Sequence, residues 1–335
     1  MPSNDSNSSF NLIKAEPSPE HLLRTIIGYS LFRGRLKYAY LILKGKNLDN
    51  KTTSEEERNK NFDIFKKAQQ DVLDLNNWHD FIKIIQKIGF VDYNLISSKV
   101  AFYISYAMYL LCKNKFNLDY KVSESLVARW FVFSQLTQRY SGSPESIIEQ
   151  DLIRIKESEN IKHTLEEIMN SNLTDDFWSI TLPQKLTSSI SNNVNKVYIA
   201  SQIFKDDDVL FSGIKLKDHL APLIKTSKKS IDKHHIFPKN YLKKQGITNK
   251  TMYNQIANMI YIEYKDNIKI TDKSPNEYWF MMLDSLNEYE RNKIEENYTE
   301  NYDLPEEFWK MDYDEFLKQR RKLMASSIKD YYYKL

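Results

Sequence analysis

Two histidines stand side by side, His234 and His235, in the segment DKHHIFPKNYLKK that runs from Asp232 to Lys244. Downstream, IANMIYIEYKDNIKITDKSP (Ile256 to Pro275) carries Asn258 and Asn267, nine positions apart. An unperturbed imidazole titrates near pH 6.5, so at pH 7 it is mostly neutral and can take a proton from water or hold a metal ion. Adjacent residues of an extended segment point to opposite faces, so the two rings cannot grip one ion unless the strand end is distorted. One ring is expected to bind metal while the other does something else. General-base help from such a ring is worth roughly 10² to 10⁴ in rate. A divalent ion beside it suits a phosphodiester, whose leaving oxygen needs its charge stabilised.

The rest of the composition limits what else could hold the ion. Cys112 is the only cysteine, which excludes an intramolecular disulfide and any zinc site built from paired CxxC motifs. His, Asn, Asp and Glu remain as ligands. Neutral imidazole and amide ligands bind weakly by themselves, so substrate phosphate and water must complete the shell, as is usual for Mg²⁺; imidazole also admits Mn²⁺, Ni²⁺ or Zn²⁺. The net charge of +3 announces no partner, but its distribution is informative. Between Lys225 and Lys250 lie eight lysines (225, 228, 229, 233, 239, 243, 244 and 250) and one acid, Asp232. Lys239, Lys243 and Lys244 follow the histidines closely enough to meet a phosphate backbone. Asp232 has two readings, a carboxylate supporting the site from behind or a surface partner for Lys233.

Elements must position these residues. Seven glycines in 335 residues, with abundant Leu, Ile, Lys and Glu, favour long helices. Ser18, Pro19 and Glu20 form a helix start, and a helix is expected from there toward Leu43. Apolar spacing predicts further helices over 54–75, 77–88, 95–113, 123–140, 144–158 and 192–204. The apolar run from Val100 to Cys112 is too short to cross a bilayer and reads as a buried helix. After Leu220 the pattern changes: residues 230–236 and 256–264 read as strands, and Ser274, Pro275 and Glu277 open a helix with a capping box. A last helix over 313–333 places Lys318, Arg320, Arg321 and Lys322 on exposed faces. His21, His79, His163 and His219 have no ligand-like neighbours and read as structural. The many tyrosines read as packing rather than base-stacking platforms.

The His234-His235-Ile236-Phe237-Pro238 run, with Asn258 and Asn267 behind it, resembles the motif of HNH, or ββα-metal, nucleases. The resemblance implies that His235 is the general base and that His234 and Asn267 are metal ligands. It also implies that Asn258, on the second strand, holds the loop and orients the base. The segment ARWFVFSQLTQRYSGSPESIIEQDL, Ala128 to Leu152, is similar to the helical region ahead of the HNH module in GmrSD-like modification-dependent restriction nucleases. Those proteins carry an N-terminal ParB-like domain with an Asp-Gly-Gln-Gln-Arg motif, which is absent from this sequence, so nucleotide use and modified-base recognition are not carried over.

The expected architecture is mainly α: a disordered tail over 1–17, a helical domain over 18–220, a ββα-metal module over 221–290 and a helical extension over 291–335. The expected activity is metal-dependent DNA cleavage in restriction or antiviral defence, with RNA cleavage or a non-catalytic nucleic-acid-binding subunit as alternatives. A partner subunit carrying the ParB-like domain fits the resemblance, and a homodimer or two successive nicks would be needed for a double-strand cut. The N-terminus has no basic stretch followed by an apolar one, so the cytoplasm is the expected compartment.

Overall fold

A computed structural model describes residues 17–47, 52–188, 192–220 and 231–335. The expected tail, apart from Pro17, lies outside them, as do Lys225, Lys228, Lys229 and Ser230. The chain is mainly helical, with a two-stranded antiparallel sheet. It divides into two compact units: residues up to Lys87 with Ile96–Leu173, and Ile88–Leu95 with Thr174–Lys334. This division falls well ahead of residue 220, where the composition changes. Among the described residues no helix is long and apolar enough to cross a membrane.

The first unit is a stack of helices, α1 (Pro19–Leu31), α2 (Lys37–Leu43), α3 (Glu55–Leu73), α4 (Leu75–Lys87), α5 (Lys99–Leu110), α6 (Tyr120–Thr137), α7 (Pro144–Lys156) and α8 (Ile161–Asn172). Ser18 caps α1 by accepting from the His21 N–H, with Pro19 in the first turn. The single helix expected to Leu43 is interrupted after Leu31, where Phe32 turns left-handed at φ 55°. The interruption brings Gly34 against α7: a Cβ there would lie 2.6 Å from the Glu149 nitrogen and 2.7 Å from the Glu145 oxygen. Glycine alone permits that approach, and the Gly34 N–H donates to the Glu149 carboxylate. The apolar run is a buried helix, as expected, with residues 101–112 all buried. Tyr103, Tyr106 and Tyr109 are 0–1 % exposed, and Tyr106 meets Trp78 edge-on at 5.0 Å. These tyrosines are packing residues, and such aromatic pairs add about 0.5–1.5 kcal/mol beyond their burial.

The second unit contains α9 (Leu182–Lys185), α10 (Asn193–Phe204), α11 (Leu216–Leu220), β1 (Ile231–His235), α12 (Lys239–Lys244), α13 (Lys250–Tyr253), β2 (Met259–Glu263), α14 (Tyr264–Ile270), α15 (Pro275–Asp284), α16 (Glu288–Tyr302) and α17 (Tyr313–Lys334). The strands pair with His234 opposite Ile260 and His235 opposite Met259. Leu210 extends the sheet through a bridge to Ile262. Ser274 and Glu277 close the capping box of α15. That helix is not the one completing the ββα unit: the shorter α14 follows β2 directly and packs on both strands. Asn258 also departs from expectation, since it ends a 3-10 turn (Ile256–Asn258) ahead of β2.

Arg320 overturns the expectation of an exposed basic face on α17. It is 0 % exposed and donates to the carbonyls of Ala257 at 2.8 Å and Met259 at 2.9 Å. Arg321 is half-buried and donates to the Leu186 carbonyl and the Gln255 side chain, whereas Lys318 and Lys322 are exposed. A guanidinium has five donors in a rigid fork and can satisfy carbonyls that a tight turn leaves without strand partners. These two arginines therefore fix the 255–259 segment from behind.

Candidate functional site

The two-residue period of β1 places Asp232 and His234 on one face and Lys233 and His235 on the other. On the first face the His234 Nδ1 lies 2.9 Å from the Asn267 Oδ1, and the Asn267 amide nitrogen donates to Asp232 at 3.0 Å. The α14 turn that follows β2 without a loop brings Asn267 back over its partner strand. Asp232 is therefore joined to the site rather than serving as a surface partner for Lys233, whose ammonium lies 5.6 Å from the Tyr261 ring. His234 is 4 % exposed, and burial lowers its pKa to about 4, against an opposing effect of the Asn267 bond. It is thus neutral at pH 7, as a metal-binding imidazole must be. Its other ring nitrogen, Nε2, is buried and has no hydrogen-bond partner among the described residues.

On the second face the His235 Nε2 lies 2.8 Å from the Asn254 Oδ1. Burial lowers the His235 pKa, the Asn254 bond raises it in part, and nearby Lys239 lowers it further. Since the amide oxygen of Asn254 can only accept, Nε2 carries the ring proton and Nδ1 keeps the lone pair. Asn254, which the motif does not single out, thus supplies the contact that orients His235. Its position four residues before Asn258, in NQIAN, was the available signal.

Asn258 holds the loop. It is 0 % exposed, accepts from the Phe237 N–H at 2.8 Å, and donates to the carbonyls of Phe237 and Tyr253, both at 3.1 Å. The Ile236 N–H donates to the Asn258 carbonyl at 2.9 Å, and the Tyr278 hydroxyl donates to the Ile236 carbonyl at 2.8 Å. The turn between the histidines and Pro238 is thereby tied to the segment carrying Asn254. Beyond Pro238, Lys239 and Lys243 are exposed, and Lys239 lies 5.5 Å from the Tyr253 ring. Lys244 is exposed too, but paired with Asp272 at 2.6 Å.

Among the described residues no three His, Cys, Asp or Glu side chains converge on one point. The donor set on the His234 face is instead mixed: one imidazole, one amide and one carboxylate. Oxygen and imidazole donors fit a hard or borderline divalent ion, and the imidazole and amide donor atoms are close enough to share one.

An uncharacterized protein of Methanocaldococcus jannaschii is 30% identical over 159 residues, which are 47% of this chain and 25% of that protein. The match therefore spans about a quarter of the relative's length. No family model and no solved structure matches the chain.

Proposed function

We propose that this chain is a metal-dependent endonuclease of the HNH type that hydrolyses DNA phosphodiester bonds. One observation carries the reading: neighbouring positions of β1 present a mixed metal-type donor set on one face and an oriented, neutral imidazole on the other. His234 and Asn267 would hold the divalent ion, Mg²⁺ first, with Mn²⁺, Ni²⁺ or Zn²⁺ also suited to this set. When bound, that ion supplies positive charge to the scissile phosphate and its leaving oxygen.

The chain's own residues do the rest. The lone pair on the His235 Nδ1 accepts the proton of the attacking water, while Asn254 keeps the ring in the tautomer that leaves this nitrogen free. Asn258 keeps the turn after His235 in place, so the base and the His234 face stay in register. Lys239 and Lys243 offer charge to the flanking phosphates, and Lys244 joins them if substrate displaces Asp272. The sequence resemblance is what supports a role in restriction or antiviral defence, with a subunit bearing a ParB-like domain as the proposed partner.

The test is cleavage of supercoiled plasmid in EDTA, Mg²⁺, Mn²⁺ and Ni²⁺, beside His235→Ala and beside single-stranded DNA and structured RNA. Metal-dependent nicking or linearisation that falls by roughly 10² or more in the variant is the expected result. Cleavage of RNA alone would move the substrate class. Wild-type protein that cuts none of these substrates with any ion, or His235→Ala that cuts as well as wild type, would overturn the reading.

A further inference from the structure

The amide of Asn267 has two chemically different ends, and only one of them can ligate a cation. Its oxygen has lone pairs; its nitrogen has none to offer. Left unguided, the side chain can rotate by half a turn and present either end to the His234 face. The structure assigns the guide to Asp232. Its carboxylate accepts from the Asn267 nitrogen at 3.0 Å, and that bond turns the amide oxygen toward His234, 2.9 Å from Nδ1. A carboxylate cannot accept from an amide oxygen, so the reverse orientation would set two acceptors against each other. We propose that Asp232 is the positioning residue of the metal site, fixing the amide flip of Asn267 and, through it, the tautomer of His234. This rests on the nuclease reading for its metal, but the orientation itself does not.

The placement follows from the fold. Asp232 lies two residues before His234 on β1 and so shares its face, while α14 carries Asn267 over both. The three side chains form one chain of bonds, with their one formal negative charge at the end away from the imidazole. Two consequences follow, one for the metal-free protein and one for metal binding. The His234 Nδ1 must donate to the amide oxygen, so the proton sits on Nδ1 and the buried Nε2 carries the lone pair. For His234 and Asn267 to hold one divalent ion between them, the Nδ1 proton must first move to Nε2, so that Nδ1 and the amide oxygen both offer lone pairs; the ion would then also feel the Asp232 charge without needing it as a ligand. Outer partners of this kind commonly change metal affinity by about 10- to 100-fold.

The experiment compares wild type, Asp232→Ala and Asp232→Asn, each checked for a wild-type thermal transition in EDTA. Calorimetric titration with Mn²⁺ gives the affinity, and ¹⁵N imidazole shifts of the metal-free protein give the His234 tautomer. Asp232→Ala should weaken Mn²⁺ binding about 10- to 100-fold and let His234 populate the Nε2–H form. Asp232→Asn, whose own amide oxygen can still accept from Asn267, should retain the Nδ1–H tautomer and lose less affinity than the alanine variant. A purely structural aspartate would move neither reading once folding is matched. Asp232→Ala that binds Mn²⁺ within twofold of wild type and keeps the wild-type tautomer overturns this inference and leaves the nuclease reading standing. Wild type that binds no Mn²⁺ while showing the expected tautomers overturns instead the metal reading on which the affinity argument rests.

Discussion

Replacing Asn258 by aspartate changes one atom and reverses the chemistry of half the side chain. In the wild type, Oδ1 accepts from the Phe237 N–H while the amide nitrogen donates to two carbonyls, those of Phe237 and Tyr253, each 3.1 Å away. Asn258→Asp keeps the accepting oxygen and sets a second oxygen against both carbonyls. Two bonds worth about 1 kcal/mol each are lost, and a side chain with 0 % exposure must now hold a charge. The Arg320 guanidinium, bonded to the adjoining carbonyls of Ala257 and Met259, offsets part of that cost. The variant should lose about 4–5 kcal/mol at pH 8, against about 3 kcal/mol for Asn258→Ala, which loses three bonds and strands the Phe237 N–H. The two should then diverge with pH. The new carboxyl has a folded pKa raised above its unfolded value near 3.9, so its ionisation penalty is full above the folded pKa. That penalty shrinks as pH falls and the protonated carboxyl regains one donor. Urea unfolding of the three proteins at pH 8 and pH 5 reads this directly. If Asn258→Asp lies within about 1 kcal/mol of wild type at pH 8, or its deficit relative to Asn258→Ala does not shrink at pH 5, the assigned bonding of Asn258 is wrong.

Three further outcomes are expected. Asn254→Ala should lower the cleavage rate about 10- to 100-fold while leaving Mn²⁺ affinity unchanged, because it frees the His235 ring without touching the opposite face; equal rates in single-turnover cleavage would show that the contact orients nothing. Lys239→Ala with Lys243→Ala should reduce the slope of log affinity against log salt for duplex DNA by about 0.9 for each phosphate no longer neutralised, measured by anisotropy with Ca²⁺ in place of the active ion; an unchanged slope would remove these lysines from the interface. Asp207, ion-paired with Lys205 at 3.2 Å, has its pKa raised from 3.8 to about 6, chiefly by burial. An acid with a raised folded pKa costs nothing while protonated in both states and costs most once ionised in the fold. The stability of Asp207→Asn relative to wild type should therefore climb from pH 4 to pH 7, by up to about 3 kcal/mol, and a flat difference in urea titrations would refute the burial argument.

Local sequence determined what depends on short-range geometry. Ser274, Pro275 and Glu277 specify a helix start because capping is satisfied within four residues, and the structure has that box closed. Two adjacent histidines on an extended segment must face opposite ways, and β1 places them so. The apolar run around residue 105 could only be buried. In contrast, α16 buries little beyond Ile294 and Tyr302, so it carried no apolar stripe by which to find it. Tertiary structure alone decided who satisfies whom. An arginine on a polar helix looks solvated until the carbonyls of Ala257 and Met259, some sixty residues earlier, need its donors. Asp232 looks like a partner for its neighbour Lys233 until α14 carries Asn267 across the strand. Position 34, just past the helix break at Phe32, has to be glycine because the α7 backbone, more than a hundred residues later, leaves no room for a Cβ. In each case a buried polar group or a close backbone approach has to be satisfied by whatever the fold brings near, and that partner leaves no periodic trace along the chain.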